Sequence, residues 1–578
     1  MKRLRDICIA ASAVLFLGGC EPGAGAAALE DVPEEERYGG TAVIGGIGDL
    51  QTMNALVMSD YTSGMIAREM LFMPLMKYDE DLVPQPWLAE RWDTTWVAAD
   101  TIELTFHLRD DVYWHDGEPT TARDVAFTFE RAIDPETAFP NAQNFANWDP
   151  NVEVLDDHTV RFRLRSHADF LDMWYQTPAM PEHILGDVPP VELINHPFGT
   201  REPVGNGPYR FLRRVPGQEW VFEANDDFTD ALGGRPYLDR IVYRSIPEQT
   251  TLMTELMRGG VDMYLQPLPE QAQRLDGERG IEIRSAPFRQ WTYLAFNTRN
   301  PLFEDARVRR AIGMAIDREQ ILDALLYGYG EIGRASSTPG HWSYDPDDQE
   351  TLLPFDQDRA RELLAQAGWQ DRQGDGILRN EAGEPFRFTL ITNHGNELRS
   401  EIQQIIQAQL RRVGIDVRLR SVEWNTMIRQ LQGSVGADGV REREFDAVIG
   451  AWVNYFRQDD KGLLHSENLN GPYQYVGWSH PRADELIDST VVEIDREAAQ
   501  PLWQEYQRLF VQESPYLVLH YPERIMGLRQ RLRNVEFDTR GEMVNIAAWW
   551  IHPQERRGGD RPRPAAGPAA EDTLPGDG

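Results

Sequence analysis

The chain has 578 residues, 41% of them hydrophobic and 10% aromatic, which is enough for large cores but too much for one, so two or three domains are expected. Acidic residues outnumber basic ones by 93 to 58, and the formal net charge of −35 argues against nucleic acid or an anionic lipid surface as a partner. Only two cysteines occur, Cys8 and Cys20, too few for a disulfide framework in so long a chain.

The start of the chain reads as an export signal. Lys2, Arg3 and Arg5 precede an apolar run from Ile7 to Leu17, and a glycine pair leads to Cys20. At a rise of about 1.5 Å per residue this run covers roughly half of a bilayer core of about 30 Å, so a removed signal over 1–19 is expected instead of a spanning helix. The ending Leu17-Gly-Gly-Cys20 resembles a bacterial lipobox, in which the cysteine is lipidated, becomes the new N-terminus and anchors the protein to the membrane. The mature chain then has no cysteine left for a disulfide, and its stability rests on core burial. Residues 20–37 lack apolar periodicity and read as a lipidated flexible tether, and 553–578, rich in proline, glycine and charge, as a disordered tail.

Between these ends strand and helix signals alternate. Ile102, Leu104, Phe106 and Leu108 recur with period two, as do Val160, Phe162 and Leu164, and both predict half-buried strands. Thr121 to Asp124 has the form of a capping box, and Ala122, Val125, Ala126, Phe129, Ala132 and Ile133 follow at helical spacing until Asp134-Pro135 stops them. Ile402, Ile405, Ile406, Leu410 and Val413 make a second helical stripe, Gly414 ends it, and Ile415, Val417 and Leu419 alternate next. Helix, glycine and strand in that order define an α/β unit, and no repeat of solenoid period is present.

Motifs that would carry catalysis or metal binding fail on context. Gly328 to Gly333 satisfies GxGxxG but follows a helical stretch instead of a strand, and reads as a loop. Asp371 to Gly376 resembles the opening of a calcium loop, yet Gln373 and Ala382 occupy ligand positions, so a tight turn is expected there. There is no HExxH, no paired His and Cys set and no GxSxG elbow. A catalytic residue, a metal site and a cofactor are therefore all absent from the reading.

A set of segments in fixed order resembles the extracellular solute-binding proteins of peptide/nickel type, the receptors of ABC importers for dipeptides, oligopeptides and related solutes. It runs from Gly39-Gly-Thr-Ala-Val-Ile44 and Pro86-Trp-Leu-Ala-Glu-Arg-Trp92 through the most distinctive block, Phe106 to Pro119 followed by Asp124-Val-Ala-Phe127. It continues with Val204-Gly-Asn-Gly-Pro-Tyr209, Ala295-Phe-Asn-Thr298, Val308 to Asp317, Ala367-Gly-Trp369 and Val413-Gly-Ile415. The resemblance implies an α/β protein of two periplasmic-binding-protein-like lobes (type II, cluster C), which closes on a solute and hands it to a permease. Lobe I would take 38–290, with an extra subdomain near 80–200, and return over 524–552; lobe II would take 291–523. Strands near Trp291 to Asn297 and Tyr516 to Tyr521 would cross between the lobes.

The same resemblance nominates a ligand site. In the family's peptide binders an aspartate three residues after a cleft tryptophan often pairs with the peptide amine; in Ala451-Trp-Val-Asn-Tyr-Phe-Arg-Gln-Asp-Asp460 that position is Tyr455, which is not an anion at neutral pH. Trp452, Asn454, Tyr455 and the acidic pair Asp459 and Asp460 are the expected ligand-facing residues, joined by Asn393, His394 and Asn396 after a strand. A peptide is the expected ligand, since backbone hydrogen bonding holds an extended chain without reading its side chains. The tyrosine leaves an oligosaccharide, a cationic metabolite and a chelated metal open. A non-transport sensor or chaperone would use the same scaffold, and a secreted hydrolase lacks a nucleophile or metal constellation. The expected protein is a monomer in the periplasm or cell envelope, held to the membrane through Cys20 alone, with permease subunits as partners.

Overall fold

The computed structural model describes residues 32–436, 439 and 441–557. The signal at 1–19, Cys20, the tether up to 31 and the tail from 558 lie outside the described residues. Residues just inside these limits pack on the body. Glu34–Arg37 form one helical turn, the Tyr237 hydroxyl donates to Glu34 at 3.1 Å, and Arg556 donates to the Glu36 carbonyl at 2.6 Å.

The alternating segments become strands for the reason their pattern states. Thr101–Leu108 buries Ile102, Leu104, Phe106 and Leu108 and is the second strand of a four-stranded antiparallel sheet, between Ala89–Ala98 and Thr159–Arg165, with Glu153–Asp156 outermost. The helix Ala122–Ile133 covers one face; its start is fixed by the Thr121 amide donating to the Asp124 carboxylate at 2.8 Å, and Asp134 leaves helical geometry before Pro135. Phe129 and Phe162, Phe162 and Trp148, and Trp148 and Trp174 meet edge to face between helix and sheet, with Phe129 and Phe162 centroids 5.2 Å apart. Each such ring removes roughly 150–250 Å² from water, which holds the subdomain together without a disulfide.

The main sheet is mixed and twelve-stranded. In spatial order it runs Asp416–Val422, Arg387–Asn393, Ala447–Val453, Gln290–Phe296, Tyr516–Arg529, Met263–Leu265, Thr41–Gly46, Arg240–Ser245, Glu219–Ala224 and Tyr209–Val215, and Ile281–Pro287 and Gly330–Ile332 pair along the long strand. Arg387–Asn393, the helix Glu397–Arg411 and Asp416–Val422 form a parallel βαβ unit. Gly414 ends its helix side at φ +86°, where a β-carbon would meet Leu378 at 2.8 Å.

Two large cores lie along this sheet. One draws on residues between Ala42 and Leu265, on Met526 to Ile551 and on Phe456; the other uses only residues between Trp291 and Tyr521. A small third cluster packs Leu252, Leu256 and Leu275 with Val43 and Val261. The long strand links the cores. Its Tyr516–His520 end pairs with Gln290–Phe296 in the second body, and Glu523–Arg529 pairs with Ile281–Pro287 in the first. Pro522 stands at the switch, where it has no N–H to offer and its carbonyl accepts from Phe288 at 3.2 Å. The two bodies also touch away from the sheet. Phe456 from the second is buried in the first core beside Tyr78 and Tyr175, with centroids at 5.0 and 5.6 Å, and Arg496 bonds Asp169 at 3.0 Å and the Leu82 carbonyl at 2.7 Å.

Candidate functional site in the cleft between the two bodies

A cavity of about 430 Å³ lies where the two bodies face each other, walled by the first body through Asp60, Tyr61, Arg68, Asn141 and Gln176, by Arg289 at the crossing, and by Val453, Asn454 and Tyr455 of the second. Its volume falls in the range of small-ligand sites. The wall on the first body is a helix, Tyr61–Ile66, that widens into a π turn over Ala67–Leu71. Asp60 caps it, its Oδ1 accepting from the Ser63 amide at 2.8 Å, while Oδ2 is buried without a partner. The π turn brings Arg68 to the cavity.

Arg68 is buried, with its guanidinium 4.3 Å from the Tyr175 ring centroid and Nε bonded to Glu69 at 2.9 Å. Glu69 also accepts from Lys77 at 2.8 Å. Burial pushes the Glu69 carboxyl up, but the cations Lys77 and Arg68 outweigh it and hold the group below the ordinary range. Arg289 is only 8% exposed. Its guanidinium stands 3.9 Å from the Phe456 ring centroid, one nitrogen donates to the Asn454 carbonyl at 3.1 Å, and Nε has no partner. Burial draws its pKa down. Deeper in, Asp172 is buried and its carboxyl is pushed up to about 6, again by burial first.

The structure brings together two of the eight expected ligand residues. Tyr455 lines the cavity and closes it, its hydroxyl donating to Asn141 of the other body at 3.1 Å. Asn454 also lines it, but its side chain is already engaged, accepting from Trp291 Nε1 at 3.1 Å and donating to the Ser336 carbonyl at 2.9 Å. Trp452 is not in the cavity wall. Alternation along its strand puts Val453 on the cavity side and Trp452 opposite, where it stacks on Tyr475 at 5.2 Å.

The acidic pair goes elsewhere. Insertion of Phe456 into the first core turns the chain back, so Asp460 enters the second body, buried, accepting from Ser336 at 2.5 Å and Tyr506 at 2.9 Å. Asp459 sits on an exposed turn, bonded to Arg457 at 2.9 Å and to the Lys461 amide at 2.9 Å. Neither lines the cavity. Asn393 accepts from Arg399 at 2.8 Å, Asn396 caps the helix Glu397–Arg411 through the Arg399 amide at 2.9 Å, and His394 is exposed; these three also lie away from it.

Sequence reasoning missed Asp60, Arg68, Gln176 and Arg289. One signal was available for the arginines: each interrupts an apolar stretch, Met65 to Met73 in one case and Ala286 to Phe296 in the other. Charges so placed are buried with partners or reserved for a ligand.

The GxGxxG stretch follows a left-handed Tyr327 and runs into the short strand Gly330–Ile332. At the calcium-like turn both Asp371 oxygens accept backbone N–H groups, from Gly374 at 2.7 Å and Gly376 at 3.0 Å. Among the described residues no group of three or more His, Cys, Asp or Glu is placed to hold a metal.

Two α/β bodies on one mixed sheet, with a cavity between them and the chain crossing from one to the other, define a two-lobed binding protein of the periplasmic type, and the comparisons with known proteins agree. The profile of the bacterial extracellular solute-binding proteins, family 5, matches residues 83–474, and the chain belongs to that family. It is 30% identical to the oligopeptide-binding protein AppA of Bacillus subtilis over 517 residues, 89% of this chain and 92% of that one. The structure of that AppA in complex with a nonapeptide superimposes with a TM-score of 0.70 at 29% identity, covering 89% of this chain and 99% of the other. The substrate-binding protein CtaP of Listeria monocytogenes shares the fold at a TM-score of 0.75 and 22% identity, over 89% of this chain and all of that one. No described helix is long and apolar enough to cross a membrane.

Proposed function

We propose that this protein is the peptide receptor of an ABC importer: it captures a peptide between its lobes and delivers it to a permease, without a catalytic step or a cofactor. The observation that carries the reading is the cavity at the crossing, walled by both lobes, in a chain 30% identical to an oligopeptide-binding protein over most of its length. The lobes would divide as 38–290 with 524–552 against 291–523, a partition that the composition of the two cores supports. Asn454 and Tyr455 are the residues of the second lobe that would touch the ligand. Export and a lipid anchor at Cys20 complete the reading, supported by the basic start, the short apolar run and the Leu17-Gly-Gly-Cys20 ending.

Native mass spectrometry of freshly purified protein tests the ligand class. Adducts whose masses resolve into peptides support the reading, and adducts of sugars or metal chelates as the sole ligands overturn it. The anchor has a separate test. Cys20→Ser should release the protein from the detergent phase in Triton partitioning, because an acyl chain contributes about 0.8 kcal/mol per buried methylene and nothing else in the tether offers that. Retention of the variant in the detergent phase would point to another attachment.

A further inference from the structure

The cleft cavity is bounded by contacts that the lobes make with each other. Phe456 of the second lobe is 1% exposed in the core of the first, beside Tyr78 and Tyr175, and its ring lies against Arg289 of the cavity wall. The lobes also meet directly where the Ala168 amide donates to the Val491 carbonyl at 2.6 Å, the Ser166 hydroxyl to the Val492 carbonyl at 3.1 Å and Trp342 Nε1 to Asp169 at 3.4 Å. Of these residues only Arg289 lines the cavity, which keeps about 430 Å³. An extended residue takes about 3.4 Å along its chain, about 4.8 Å to the next strand and about 10 Å to the next layer, roughly 160 Å³ in all. The cavity therefore suits about two or three residues, whereas a nonapeptide needs roughly 1,400 Å³.

Tyr455 stands at the mouth. It lines the cavity while 41% exposed, and its hydroxyl donates to Asn141 of the first lobe at 3.1 Å. The backbone that carries it is pinned on both sides. Asn454 donates its amide to the Arg289 carbonyl at 2.6 Å, accepts at its own carbonyl from the Arg289 guanidinium at 3.1 Å and holds Trp291 and Ser336 with its side chain. Phe456 on the other side is the buried ring. A ligand that outgrows the cavity thus cannot displace this backbone; it has to break the bond to Asn141 and keep the lobes apart, which unseats Phe456 as well.

We propose that this protein selects its ligand by length: the cleft takes di- and tripeptides, and Tyr455, held against Asn141, sets the limit. The inference rests on the peptide reading above and adds the size of the peptide. Closure is the discriminating step. A short peptide fits inside the closed arrangement and touches both lobes, whereas a longer one binds only at the cost of the contacts between them, and specificity is that difference in affinity.

The test uses the full mature chain, refolded after denaturation to strip retained ligand, and equimolar random-sequence peptide pools of one length each, from two to nine residues, with free ends. Native mass spectrometry and competition between pools should show di- and tripeptides captured at least about tenfold better than peptides of five residues or more. Tyr455→Ala removes the ring from the mouth and should cut that preference to about threefold or less, and Asn141→Ala should move it in the same direction. Tyr455→Phe keeps the ring and should weaken all lengths by a similar factor, which separates a general loss of affinity from a changed limit. If Tyr455→Ala does not fold, Asn141→Ala decides. Equal capture of tripeptides and nonapeptides by the wild type overturns length selection and leaves the peptide reading standing. An unchanged length profile in the alanine variants overturns the role of Tyr455 and Asn141. Capture from none of the pools by natively folded protein overturns both the length limit and the peptide reading.

Discussion

Two buried polar clusters flank the segment Trp452–Asp460, and they differ in how completely they are satisfied. Around Asp460 the bonds close on themselves: Ser336, Tyr506 and Gln458 join Ser337, Ser343 and His341, and His341 reaches the Phe456 carbonyl at 2.9 Å. On the cleft side Arg289, Gln176 and Asp60 each keep a buried atom unbonded beside a cavity. A closed network fixes structure and has nothing to offer a solute; an open one is costly in the empty protein and is relieved by a ligand. An acidic residue near the cleft in sequence is therefore a weaker guide to binding than a buried donor left without an acceptor.

The contrast can be broken most forcefully at Phe456, the residue between the clusters. Phe456→Ala removes a ring from the first core and uncovers Arg289, and we expect about 3–4 kcal/mol lost in denaturant unfolding together with a larger radius of gyration in solution scattering. An unchanged radius would show that the ring does not hold the lobes together.

The Asp460 side is sharpened by pH. Burial pushes its carboxyl up to about 6. Below about pH 3 it is protonated folded and unfolded alike; between about pH 4 and 6 the folded state alone resists ionisation, so stability from this group falls as pH rises through that window and levels off above it. Relative to Asp460→Asn, the wild type should lose about 2–3 kcal/mol between pH 4 and pH 7, with peptide affinity unchanged in the variant. A stability gap that is constant with pH, or an affinity loss in the variant, would dissolve the distinction between the clusters.

Smaller effects follow. Tyr455→Phe deletes the hydrogen bond to Asn141 across the cleft and should weaken ligand binding by about 1 kcal/mol, roughly fivefold by calorimetry, with little change in unfolding. Asp459→Asn touches an exposed turn and should move neither stability nor affinity by more than about 0.5 kcal/mol. Least of all, a chelator should leave the melting temperature unchanged, since the Asp371 oxygens are occupied by backbone N–H groups; a rise of several degrees on adding calcium would restore that turn as a metal site.

Local structure was legible where a pattern has one physical cause. The capping box at Thr121, the stop at Asp134-Pro135 and the glycine between helix and strand at 414 lie within a residue or two of where sequence places them. Strands were also expected near Trp291 to Asn297 and Tyr516 to Tyr521, through the family resemblance, and strands lie there. The cavity wall was not legible, apart from Asn454 and Tyr455. Its key side chains come from segments more than two hundred residues apart, Arg68 and Arg289, which share a wall only because two strands cross. Asp459 and Asp460 lie away from the cavity because one aromatic insertion, at Phe456, redirects the chain that follows it, and no periodicity in the sequence marks that event.

The long strand has a consequence for how the molecule comes to be. A chain stopped after residue 523 holds every residue of the second core, yet lacks Met526, Leu528, Met543, Trp549 and Ile551 of the first. Arg531, which bonds Asp262 at 2.6 Å and the Thr41 carbonyl at 3.1 Å, closes loops of 269 and 490 residues. During synthesis the lobe that begins first is thus completed last, after the later lobe has all its residues. Loop closure over such spans is slow. The refolding rate of the whole protein should accordingly be set by the return of residues 524–552 to a half-built first lobe, and cutting the chain at 523 should leave the second lobe the more protected of the two against proteolysis.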